Sequence, residues 1–357
     1  MYKYSNKMSE RIGYIDALRG FTMILVVLNH VAAEYLGVSH NPGHIYYYFN
    51  EFRMPLFFFV SGFVLYKKDF IWNITNSIKF FKKKIPVQII FPFIIFCVYV
   101  FFKDKSLVES ITNKFKSGYW FTFTLFTYYV IYAVIQYLFL KFKVHKPAHI
   151  LPTYIVIGLF LYFNGSTQIL FKLGASETVT EALGTANMQF FIFFLLGTLT
   201  RRYFQTFESL LEKSYTLLLC IVAFFSINIF IDLTTEPKVT FKFYSLLLAI
   251  MGITISFSLF RKNSTFFNND NMLSKVLKFI GRRTLDIYLL HFFFLYKGFA
   301  NSFPVLHNIV DYPLIEFFIS LTIATIVIIA SISIGYILRL AQPISVYCFG
   351  EKKKVVK

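Results

Sequence analysis

The sequence predicts an all-α integral membrane protein: a polytopic bundle of about ten transmembrane helices with both ends on the cytoplasmic side (N-in/C-in). Three observations carry this reading. Hydrophobic residues fill 57% of the 357 positions, and the mean hydropathy is +0.60. Charged residues make up only 15%, against roughly 25% in a soluble domain. The apolar residues also gather into runs of about the 20 residues that a bilayer-spanning helix needs. This composition excludes a disordered chain, a collagen-like fibre and a disulfide scaffold, and it argues against a soluble globular enzyme. No fixed-period repeat or low-complexity linker divides the chain. Residues 1–357 therefore read as one domain with short tails, about 1–14 and 341–357.

The runs fall at residues 16–38, 51–66, 87–102, 119–140, 149–163, 187–200, 215–232, 241–260, 284–303 and 314–338. Charge or Gly/Pro/Asn clusters bound each of them. The first begins after the charged stretch Met1–Arg11 and is too long for a signal-peptide core, so no cleavable leader is expected. The runs near 51, 149 and 187 are short for a straight span. Cys97, Cys220 and Cys348 are far apart and lack metal spacing, which reads as buried, inert thiols.

The formal net charge is +18. In a soluble chain this would suggest nucleic acid; in a membrane protein it reports orientation, because Lys and Arg collect in cytoplasmic loops. With the N-terminus inside, 26 of the 36 basic residues fall on the cytoplasmic side and nine on the other. Arg19 alone remains, inside the first span.

That span, starting Tyr14-Ile-Asp-Ala-Leu-Arg-Gly20, also carries Asn29, His30 and Glu34. Ionisable groups in a membrane helix cost several kcal/mol unless paired or hydrated, which makes them functional candidates. Eleven residues separate Arg19 from His30, so at about 100° per residue they share a face, roughly 16 Å apart along the axis. Glu34 lies a turn beyond His30. An anionic head held at Arg19 and a reactive end at His30 would fit a substrate threaded from the cytosol, and an extended phosphopantetheine arm has that reach, roughly 15–20 Å. Alternatively, Arg19 pairs with Asp16 and His30 merely bonds between helices.

These residues resemble the membrane-bound acyltransferase family 3, which includes O-acetyltransferases of sugars and surface polysaccharides. The likeness begins with Ile15-Asp-Ala-Leu-Arg-Gly20 and the Arg19–His30 spacing. It continues in Phe52-Arg-Met-Pro-Leu-Phe-Phe-Phe-Val-Ser-Gly-Phe63, close to the family's MPLFFFxSGF signature. Tyr119-Trp-Phe121 is similar to its WF opening of the fourth span, and Phe279–His291 to its GxxSLxIYLxH segment. One departure is Gln88, four residues before Pro92, where many members carry Arg.

The resemblance implies a transmembrane O-acyltransferase in the cell membrane. It would take an acyl group, expected to be acetyl, from cytoplasmic acyl-CoA to a hydroxyl of an extracytoplasmic polysaccharide or lipid-linked glycan. Acyl-CoA is then a donor substrate, and no permanently bound cofactor, metal or nucleic-acid partner is expected. The family further implies that Arg19 and His30 are essential.

Thioester-to-hydroxyl transfer needs a base, an oxyanion donor and cations for the CoA phosphates. His30 is the candidate base, with Glu34 as the group that fixes its tautomer. Arg19, Lys83, Lys84, Arg282 and Arg283 are candidate donor-binding cations, although the last four also fit the ordinary cytoplasmic excess. Arg53, Ser61, Trp120 and His291 are candidates for the acceptor site or the passage lining. Ser61 could instead serve close helix packing, Arg53 could pair with Glu51, and Asp286 is expected to pair with Arg282 or Arg283. His40 and His44 lack a ligand set for a metal. The competing reading is a polysaccharide exporter or flippase without chemistry, which would also place polar groups in spans.

Overall fold

A computed structural model describes residues 12–37, 44–164, 176, 185–233, 235–296 and 312–350. Helices joined by short connections make up nearly all of them, and there is no strand among them. Helix α1 runs from Gly13 to Val31 and widens into a π-helical turn, Ala32–Leu36. Helix α2 spans Ile45–Leu65. Helix α3, Ile74–Ile85, passes through a π turn at Pro86–Ile90 into α4, Phe91–Phe102. After the short α5, Leu107–Thr112, come α6, Trp120–Lys141, and α7, Pro147–Asn164. A 3₁₀ turn, Thr185–Phe190, leads into α8, Phe191–Arg202. Helices α9 and α10 are Phe204–Glu212 and Ser214–Phe230, and α11 is Lys238–Lys262. The last group is α12, Ser264–Asn268; α13, Met272–Arg282; α14, Thr284–Leu290; and α15, Pro313–Leu340.

Each apolar run includes helix among the described residues, but among these residues six helical stretches are long and apolar enough to cross a membrane by themselves: Gly13–Leu36, Ile74–Phe102, Trp120–Lys141, Pro147–Asn164, Lys238–Lys262 and Pro313–Leu340. The expected ten exceed these for local reasons. Helix α2 is long enough, but Tyr46–Tyr48, Asn50, Glu51 and Arg53 dilute its first turns. The run at 215–232 continues a helix bent by 74° from α9. The run at 187–200 is split between a 3₁₀ turn and α8, and the run at 284–303 is helical only over Thr284–Phe294 before it leaves the described residues.

Lipid-like and core faces separate cleanly. Buried residues make up 78% of the most apolar 18 residues within Gly13–Leu36 but 22% of Pro147–Asn164, so α1 is the central helix and α7 lies at the edge. Two glycine crossings set the centre. A methyl group on Gly20 would lie 2.0 Å from the Leu277 carbonyl oxygen, and one on Gly281 would lie 1.8 Å from that of Asp16. Helices α1 and α13 thus touch backbone to backbone, a contact only small residues permit. Gly62 and Gly197 do the same for α2 and α8, opposite Phe194 and Phe59. Cys97 and Cys220 are free thiols, half-buried rather than enclosed as expected.

Candidate active site

At one end of the bundle, α1, α2, α3, α6, α14 and α15 enclose a cavity of about 520 Å³. Arg19, Lys67, Lys84, Arg282 and Arg339 contribute cations to its wall, and Ser61, Gln88, Thr122 and Thr284 contribute polar groups. Charged groups within the bundle must be paired or satisfied to be tolerated there. Arg19 donates to the Thr284 hydroxyl at 3.0 Å and sits 4.0 Å from Asp16. Arg282 bonds the other oxygen of the same carboxylate at 3.1 Å. The guanidinium of Arg339 forms a two-pronged pair with the fully buried Asp286 and lies 3.6 Å above the Phe349 ring. These contacts hold three planar cations in fixed orientations around one space, an arrangement suited to phosphate.

Several candidates are placed differently from expectation. Lys84 lines the cavity, whereas Lys83 is exposed on the outer side of the same turn. Arg283 does not line it. Its guanidinium lies 3.7 Å from Asp286 and 4.5 Å over the Tyr336 ring. Asp286 thus pairs with Arg283 and also with Arg339, while Arg282 takes Asp16. Arg339, counted only among the cytoplasmic basic residues by the charge distribution, is a wall residue. Sequence reading missed it because more than three hundred residues separate it from Arg19.

Ser61 lines the cavity, and its hydroxyl donates to the Phe57 carbonyl at 2.8 Å. Close packing belongs to its neighbour Gly62. Gln88 is buried, and its side-chain carbonyl has no partner among the described residues, so the position where relatives carry Arg presents an amide to the cavity.

Beyond the inner wall lie the two histidines. Tyr288 lines the cavity, and its ring is 6.4 Å from that of His291; the His30 ring is 5.4 Å further on. His291 is fully buried, and its Nδ1 is 2.7 Å from the Ile287 carbonyl oxygen. A carbonyl only accepts, so Nδ1 carries the proton and Nε2 of the neutral ring holds a lone pair. That Nε2 has no partner among the described residues. His30 packs edge-on against Phe292 at 5.1 Å, and no hydrogen bond among the described residues engages its ring nitrogens. Arg53 is close enough to act electrostatically on His30, it donates to the Asn50 side chain, and the charge of Glu51 acts on it. Glu34 lies in the π turn, and its charge acts on Tyr99. No hydrogen bond joins it to His30 among the described residues.

Trp120 does not line the cavity. It stacks on Phe190 at 5.8 Å, and together with Phe58 it forms an aromatic layer: Phe57 meets Phe121 at 4.6 Å, Phe58 meets Phe121 at 4.8 Å, and Phe58 stacks on Phe190 at 5.5 Å. At the opposite end of α2, His44 pairs with Glu316 at 2.6 Å. His40 lies outside the described residues.

The family model described as an acyltransferase domain matches residues 12–338. The chain belongs to acyltransferase family 3. It is accordingly a membrane acyltransferase by family. No curated protein and no solved structure matches the chain. The matched span takes in Arg19, Lys84 and Arg282 of the cavity and the histidine pair, and it ends one residue before Arg339.

Proposed function

We propose that this acyltransferase is an O-acyltransferase using acyl-CoA, with acetyl as the acyl group, and a hydroxyl of an extracytoplasmic glycan as acceptor. The observation that carries the reading is the Arg19–Lys84–Arg282–Arg339 cavity whose inner wall abuts the His291–His30 pair. In this reading the four cations hold the CoA phosphates, and the pantetheine arm extends past Tyr288 toward His30. His30 removes the acceptor hydroxyl proton as the oxygen attacks the thioester carbon, and the thiolate leaves as CoA. The Nε2 lone pair of His291, held in place by Ile287, accepts a hydrogen bond from the protonated His30 ring or from the incoming hydroxyl.

The proposed topology is ten spans, N-in/C-in, in the cell membrane. The six long helices supply part of it, and α2, the Thr185–Arg202 segment, the bent α9–α10 pair and the α14 segment supply the rest. The 26-to-nine distribution of basic residues supports it. That orientation places the cation-lined cavity on the cytosolic side, where acyl-CoA is found.

The aromatic layer of Phe57, Phe58, Phe121, Trp120 and Phe190 favours chemistry over export. A polymer conduit needs an open bore, and rings packed at about 5 Å close one. The decisive test uses purified protein in lipid nanodiscs with acetyl-CoA and a glycan acceptor, following CoA release and the acceptor's mass. We expect His30→Ala to lower both by about a hundredfold or more, the range of a lost general base. Unchanged rates would remove His30 from the reaction.

A further inference from the structure

The largest of the described hollows has no role so far. It is a cleft of about 850 Å³ at the end of α2 opposite the cavity, lined by Glu51 and Pro55 of α2, the C-terminal end of α7, the start of α8 and the first turns of α11. Three lysines converge on it: Lys114, Lys238 and Lys242. Lys238 and Lys114 are close enough to act electrostatically on Lys242. Glu51 is the one carboxylate in the lining, so the cationic groups outnumber it.

This convergence is unexpected on the side that the charge distribution leaves poor in basic residues. Only nine lysines and arginines fall there, and three of them face one cleft. Lys242 is also built in place. Its ammonium donates to the Phe163 carbonyl at 2.8 Å and the Tyr162 carbonyl at 3.4 Å, while the Tyr162 hydroxyl donates to the Lys242 carbonyl at 2.9 Å. An ammonium has three N–H donors, and two are satisfied by those carbonyls, which leaves one to serve a ligand.

We propose that this cleft binds an anionic glycan, with sugar faces against its aromatic walls and a carboxylate or phosphate on Lys114, Lys238 and Lys242. The ring face of an aromatic side chain is electron-rich and attracts the C–H groups of a pyranose. Tyr162, Phe163, Phe190 and Phe193 stand in the lining, and Phe190 stacks on Trp120 in the layer beneath. Asn164 and Gln189 add amides that suit hydroxyls and have nothing to offer an acyl chain. The proposal rests on the acyl-transfer reading, because it takes the cleft as the acceptor side of that reaction, and it names the acceptor as an acidic glycan.

The test is calorimetric titration of the full chain in phosphatidylcholine nanodiscs with hexagalacturonate and, separately, with neutral maltohexaose. Hexagalacturonate should bind at least about tenfold more tightly at low salt and lose that advantage as salt screens the lysines. Lys114→Gln with Lys238→Gln, at a half-buried and an exposed position, should weaken hexagalacturonate binding about tenfold. Neutral binding and thermal unfolding should stay unchanged. Equal affinity for the two oligomers, or undiminished binding by the double variant, overturns the proposal. Competition by phosphatidylglycerol that abolishes binding assigns the cleft to lipid and also overturns it. CoA release read in parallel separates the two claims. Tight acidic binding without any acylation overturns the acyl-transfer reading and leaves the cleft standing. Equal acylation of both oligomers by the parent protein does the reverse.

Discussion

The two ends of the bundle are both positively charged, yet they manage that charge in opposite ways. In the cavity, arginines dominate and carboxylates brace them: Asp16 serves Arg19 and Arg282, and Asp286 serves Arg283 and Arg339. In the cleft, lysines dominate and backbone carbonyls hold the most enclosed of them. A guanidinium is a planar fork whose orientation can be fixed by one carboxylate while other N–H groups stay available. An ammonium is a point charge that follows its ligand. The braced end suits one fixed polyphosphate, and the unbraced end suits a ligand that varies or moves.

The largest expected effect comes from removing a brace. Asp286→Ala removes the buried carboxylate that Arg283 and Arg339 share, and breaking such a pair costs about 3–5 kcal/mol. Unfolding in detergent should show that loss, and the double change Asp286→Leu with Arg339→Met should recover most of it. A single variant as stable as the parent would mean that the carboxylate does not hold the wall.

A smaller effect is expected from Arg19→Lys, which keeps the charge and loses the fork. Donor affinity, read by competition with a fluorescent CoA analogue, should fall about tenfold while the fold is retained. Unchanged affinity would make the two ends alike and dissolve the contrast. Smallest is Lys275→Gln, an exposed cation on α13 outside both regions. Stability should move by less than about 0.5 kcal/mol, and neither donor nor acceptor affinity should change. A larger loss there would show that bulk charge, not placement, drives binding.

Much of the site was legible in the chain. The eleven-residue interval from Arg19 to His30 on an apolar run was enough to single out both, because the twist and rise of a helix are local and regular. Lys84 and Lys83 could not be told apart, since neighbouring residues on a helix point about 100° away from each other and only packing says which one faces inward. Glu34 was read one turn beyond His30, and only the structure shows that this turn is π-helical and that the carboxylate acts on Tyr99. Ser61 and Gly62 looked like a packing pair; in space the glycine packs and the serine faces the cavity.

The sequence by itself determined an all-helical membrane protein of acyltransferase family 3, the position of its apolar runs and the two residues at the heart of the first helix. Hydropathy and periodicity are properties of contiguous residues, so they survive without coordinates. Tertiary structure decided which cations share a cavity, that His291 bonds Ile287 through Nδ1 with its ring 5.4 Å from that of His30, and that lysines from residues 114, 238 and 242 meet in one cleft. Those are relations between residues far apart in sequence, set by which helix faces pack together through glycine crossings and buried ion pairs, and no local pattern in the chain encodes them.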